Sequence, residues 1–180
     1  MSDEASLAEE LHGIKLWACP HCQQAGALIG HGFLRGYAER ESGLVLRGRR
    51  LFCSNRGRRP GCGRTFSVKL QTVMSGFVVR TLTLWCFVQA VLDGLTLRAA
   101  WLRETAGALS LSSGYRLWRC LCAAQSALRA RLCREAPAPA STAREPLAEV
   151  VQHLAVVLGG GEADLFAAYQ SRLGRGLFDS

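Results

Sequence analysis

The sequence has no apolar run near the ~18 residues that a membrane span needs. Its opening text, MSDEASLAEELHG, lacks the basic-then-apolar order of a secretion signal. The expectation is a cytoplasmic protein in a reducing compartment, with no membrane partner. Nor is there a Ser-His-Asp order, a phosphate-binding loop or a pair of metal-binding carboxylates, so the reading is not an enzyme. No internal repeat is present. Acidic residues are scarce where basic ones are dense: residues 31–80 hold eleven Lys and Arg against two Asp and Glu.

What is present is 180 residues, 49% of them apolar. That is enough for one medium or two small domains with a real core, and it excludes a disordered chain. The net charge of +8 divides unevenly, with −3 over residues 1–30, +9 over 31–80, +4 over 81–135 and −2 over 136–180. A field of one sign in the middle, with acidic ends, favours a polyanion, and nucleic acid is the default candidate. Eight cysteines in a reducing compartment point to metal ligation or burial rather than disulfides.

The pattern divides the chain into an acidic segment (1–13), a β segment (14–70), a helical segment (76–134), a linker (135–143) and C-terminal helices (144–180). A short helix is expected near Leu7 and Leu11. IKLWAC, GALIGHGF, LVLRGRRLFC and TFSVKL read as strands between Gly-rich turns. Leu82, Trp85, Val88, Gln89 and Leu92 share a helical face that stops at Asp93-Gly94. Thr96 is the expected N-cap of a second helix ending at Gly107, and Ser110 of a third running to Leu132. APAPAST, residues 136–142, reads as extended linker. Thr142 and Glu145 form a capping box ahead of the stripe Leu147, Val150, Val151, Leu154, Val157 and Leu158. A last helix is expected over residues 162–173.

Cys19 and Cys22 form a C-x2-C pair at the end of a strand-like run. Two thiolates so spaced can share one tetrahedral ion, and Cys53 and Cys62 are the matching pair. Eight residues, SNRGRRPG, separate that second pair, which reads as an insertion in a knuckle. A β segment this small lacks a core of its own, and one structural Zn2+ contributes on the order of 10 kcal/mol or more to folding. His21 and His31 are substitute ligands. The other cysteines, Cys86, Cys120, Cys122 and Cys133, read as buried apolar residues, because on one helix Cys120 and Cys122 point about 200° apart.

CPHC, the RGRRLFC strand and CGRTFS together resemble the N-terminal zinc ribbons of bacterial insertion-sequence transposases. DGLTLRAAWLRETAGALSLSSGYRLWRCL is similar to the helix-turn-helix text that follows such ribbons. The likeness runs from Trp17 to Leu132. It implies a small β zinc ribbon followed by an all-α helix-turn-helix bundle, α+β overall. It also implies double-stranded DNA as partner, a nucleoid location, and contact with transposase or transcription machinery. Two features depart from the pattern: the enlarged second knuckle, and Gly114 where such helices usually carry a β-branched or aliphatic residue. The family's catalytic domain has no counterpart in the residues after Arg134.

The functional expectation follows. Arg47, Arg49, Arg50, Arg56, Arg58, Arg59 and Arg64 contact phosphate, with Arg47 and Arg49 on one strand face. Ser112, Ser113, Tyr115, Arg116 and Arg119 lie in the early turns of a recognition helix, where base edges are read. Trp85, Trp101 and Trp118 belong to the core. The C-terminal stripe is buried against the same chain or in a homodimer. A protein-interaction adaptor is the competing reading, and an RNA binder the third. RNA is disfavoured because no exposed aromatic sheet can be read from the sequence.

Overall fold

The computed structural model describes residues 12–37, 43–74, 76–141, 143, 145–174 and 176–178. The expected helix near Leu7 and Leu11 and the capping residue Thr142 lie outside them. The chain divides into two compact units, the first ending at Leu70 and the second starting at Gln71. No described helix is long and apolar enough to cross a membrane.

The first unit is a three-stranded antiparallel sheet, β1 (Leu28–Tyr37), β2 (Leu44–Cys53) and β3 (Thr65–Lys69), in the order β1-β2-β3. Leu28 pairs with Cys53, and Phe52 pairs with Thr65, so the segments that carry the two cysteine pairs meet at one end of the sheet. The β1–β2 register breaks between Gly30 and Phe33 and again between Leu34 and Arg35. Such breaks need glycine where backbones crowd. A Cβ on Gly48, at φ 150°, would strike the Val68 carbonyl oxygen and lie 2.8 Å from the Lys69 Cα.

The core of this unit is very small. Cys19, Ala27, Leu28 and Cys53 are its buried cluster, with Ile14 and Phe66 alongside. Leu46 forms a satellite with Ile14 and Leu70. Two of the four members of the main cluster are thiols, which bury little apolar surface. The unit therefore needs cohesion from something other than hydrophobic contact.

Among the described residues the second unit holds five helices: α1 (Thr81–Leu92), α2 (Leu97–Thr105), α3 (Leu111–Glu135), α4 (Pro146–Leu158) and α5 (Leu165–Leu173). With the sheet they make the chain α+β. One continuous core joins Leu84, Phe87, Trp101, Leu117, Leu121, Leu128, Leu147, Leu154 and Phe166. The C-terminal helices thus share the core of the helices before the linker, and their stripe is buried against the same chain. His153 on α4 is buried and its Nε2 lies 3.0 Å from the Ala136 carbonyl oxygen, which fastens the start of the linker.

Helix boundaries follow caps with two corrections. The Thr96 side chain accepts from the Ala99 amide at 3.2 Å, as expected of an N-cap. Ser110 occupies the N-cap of α3, but its hydroxyl bonds those of Ser112 and Ser113 instead of an amide. Helix α4 begins at Pro146 with Glu145 at the N-cap, since proline's fixed φ suits a first helical position. On α1 the buried face is Thr81, Leu84, Phe87, Val88 and Ala90, while Leu82 is exposed. Of the expected stripe, Val88 is buried and Trp85 and Leu92 pack against the core, whereas Leu82 is turned to solvent.

Candidate metal centre

The first knuckle starts after an isolated bridge between Ala18 and Ala25. The Cys19 amide donates to the Gln24 carbonyl, and the Gln23 amide to the Cys19 carbonyl, closing a turn around Cys19-Pro20-His21-Cys22. The His21 amide points at the Cys19 sulfur, 3.4 Å away.

The second knuckle solves the problem of its eight-residue spacing by extruding most of it. The Gly61 amide donates to the Ser54 carbonyl at 3.0 Å, so the chain leaves after Ser54 and returns at Gly61. A Cβ on Gly61 would sit 2.6 Å from the Ser54 carbonyl carbon and 2.8 Å from that of Cys53, so only glycine closes this neck. Ser54 is buried and its amide donates to the Ala27 carbonyl at 2.8 Å, which ties the neck to the sheet. Within the neck Cys53 and Cys62 are held as if two residues separated them. The Cys62 amide donates to the Cys53 sulfur at 3.3 Å, and the Gly63 amide to the Cys53 carbonyl at 2.9 Å.

The four sulfurs of Cys19, Cys22, Cys53 and Cys62 converge within 4.8 Å of one another. Cys19 and Cys62 are 3.8 Å apart, and Cys22 and Cys53 are 3.7 Å apart. A tetrahedron with metal–sulfur bonds of about 2.3 Å has edges of about 3.8 Å. The cluster therefore fits one tetrahedral metal ion with four thiolate ligands. Burial pushes the Cys53 thiol up to about 12, reinforced by the neighbouring thiols and only partly opposed by the Cys62 amide. Burial also opposes ionisation of Cys19, but donation from the His21 and Cys22 amides and the neighbouring thiols outweighs it, and Cys19 falls to about 7. One thiolate can be served by its neighbours in this way. Further negative charge in so small a space requires a cation.

No histidine joins the set. The His21 ring meets the Phe66 edge at 6.2 Å, and the His31 ring lies 5.8 Å from Phe52. The remaining cysteines are not assembled and are less buried than expected. Cys86 and Cys120 are half-buried, and Cys122 and Cys133 are exposed.

The basic residues fall into three groups. Arg50, Arg56, Arg58, Arg59 and Arg64 are exposed, with Arg56 Cζ 5.9 Å from the Phe52 ring centre. Arg58 sits at the loop tip in the left-handed region, φ 65°. The register break beside Gly48 separates the strand contacts of Arg47 and Arg49. Arg47 lies across Gly36 and donates to the Tyr37 carbonyl at 2.8 Å, whereas Arg49 lies across Gly30 and over Phe33.

On α3, Ser112, Tyr115, Arg116 and Arg119 are exposed and Ser113 is half-buried. Arg116 lies with Cζ 5.2 Å from the Phe77 ring centre. The α2–α3 turn is fixed by Trp101, whose indole N–H donates to the Ser110 carbonyl at 2.9 Å. Gly114 accommodates that indole: a Cβ there would lie 2.7 Å from the Trp101 ring. The glycine at this position thus has a packing cause. Trp101 is buried, and Trp85 and Trp118 pack edge-on against Phe166 and Phe87, at 5.3 and 6.0 Å.

Sequence reasoning missed the exposed rings of the sheet, Phe33 and Tyr37. The alternation Phe-x-Arg-x-Tyr was the available signal, but the expected strand GALIGHGF stopped at Phe33, whereas β1 continues to Tyr37. Comparison with protein-family models, with curated proteins and with solved structures finds no match to this chain.

Proposed function

We propose that this chain is a zinc-dependent DNA-binding protein, related to transposase DNA-binding regions. It would act as a regulator or as an accessory factor at mobile-element ends. The observation that carries this reading is the extruded loop: a four-thiolate site whose second knuckle projects Arg56, Arg58 and Arg59 into solvent from a glycine neck. Zinc is the ion of choice for four thiolates in a closed tetrahedral site, where it folds the domain rather than performing chemistry. The loop arginines grip phosphate without reading sequence, and each contact adds salt dependence.

Base reading falls to α3, in a helix-turn-helix with α2. Arg116 and Arg119 are exposed neighbours on one face of its early turns, and the Trp101 anchor sets the angle of the turn. The test is selection of bound duplexes from a random pool by zinc-loaded protein at near-physiological salt. An enriched motif is expected, its half-site spacing reporting any dimer geometry. Salt-sensitive binding without enrichment would make α3 a scaffold, and no duplex binding would overturn the reading.

A further inference from the structure

Strand β1 carries exposed side chains that the duplex reading does not use. Phe33, Arg35 and Tyr37 alternate with Leu34 and Gly36 and therefore share a face. Phe33 is 52% and Tyr37 64% exposed, while Leu34 and Gly36 are half-buried. The two rings stand about 13 Å apart along an edge strand. Arg49 reaches over from β2 with its Cζ 5.2 Å from the Phe33 ring centre, and the Arg35 Cζ lies at 6.0 Å. The buried Arg49 Nε has no hydrogen-bond partner, so this guanidinium is laid against the ring and not spent on a carboxylate. None of the residues of β1, β2 or β3 is acidic.

A single exposed ring is ordinary. Two rings in register, interleaved with arginines on an acid-free sheet, make a surface with a specific complement: flat π faces strung on a negative backbone. We propose that the Phe33–Arg35–Tyr37 face of β1 binds an unpaired nucleic-acid strand. Bases stack on the two rings, and Arg35 and Arg49 face the strand's phosphates. The proposal rests on the nucleic-acid reading above and adds a second ligand form to it. A duplex does not suit this face, because its bases are already stacked on one another. A second copy docking symmetrically does not suit it either, because arginines would meet arginines.

The test uses the full zinc-loaded chain and three probes at near-physiological salt: a short oligothymidine, an abasic strand of the same length, and a duplex. Phe33→Ala and Tyr37→Ala are each expected to weaken oligothymidine binding about fivefold or more. Phe33→Trp and Tyr37→Phe should preserve it, and the abasic strand should bind more weakly than oligothymidine. Should an alanine variant lose its metal, Phe33→Leu and Tyr37→Leu take its place. Equal binding of the abasic strand, or unchanged affinity in the ring variants, overturns the proposal. So does a change in sedimentation without a change in oligonucleotide affinity, which would assign the face to a second copy. Duplex binding separates the two readings. Ring-dependent oligothymidine binding without duplex binding keeps this inference and sinks the duplex reading, whereas duplex binding indifferent to the rings does the reverse.

Discussion

At the scale of single residues, two glycines and four cysteines carry most of the specification. Gly114→Ala is a substitution whose sign is informative. Helix propensity alone would stabilise α3 by about 1 kcal/mol. The new Cβ would instead lie 2.7 Å from the Trp101 indole. Overpacking of this kind costs about 1–3 kcal/mol, so a net fall in thermal midpoint of the helical unit is expected by calorimetry. Cys53→Ser and Cys62→Ser should each lower bound zinc well below one ion per chain in metal analysis; full occupancy in both would remove these residues from the ligand set. Acid should release the metal too. Each ligand binds as thiolate, so protons compete increasingly as pH falls, most strongly at Cys53, whose thiol is held up at about 12. A zinc titration across pH checks this.

At the scale of elements, the extruded loop separates two tasks that the sequence presents as one stretch. Ser54 and Gly61 are hydrogen-bonded across the neck, so residues 55–60 are peripheral to the sulfurs. Deleting them would leave Cys-Ser-Gly-Cys, an ordinary two-residue knuckle. Zinc content should then persist while the slope of log affinity against log salt shrinks by up to about 3, near 0.9 for each of Arg56, Arg58 and Arg59 that touches phosphate. Loss of zinc would show the loop to be part of the site.

Elements also show what the sequence could not disclose. The ligand pairs were legible because thiolate spacing is a local signal, and the α2 boundary because Thr96 is a local cap. The placement of Arg47 and Arg49 was not legible, since it depends on register breaks set by the partner strand. Nor was the burial of Phe87 on α1, outside the expected stripe, which is fixed by its edge-on contact with Trp101 of the next helix.

At the scale of the whole molecule, the two units differ in what holds them. The first has a buried cluster of four residues, two of them cysteines that belong to the four-sulfur site, while the second has an extended apolar core. Chelation should therefore abolish sheet structure and leave helical ellipticity, with two separate thermal transitions in the metal-loaded protein. A single loss of all signal on chelation would contradict this. The helical unit has a further property, rooted in Asp164. That carboxylate caps α5 through the Phe166 and Ala167 amides and accepts the Thr81 hydroxyl of α1 at 2.6 Å. Helix α1 is thus completed by the last helix of its own unit. A variant cut before α5 is expected to leave the apolar faces of the earlier helices uncovered and to bind chaperones, because the core of the unit closes only when α5 packs on it.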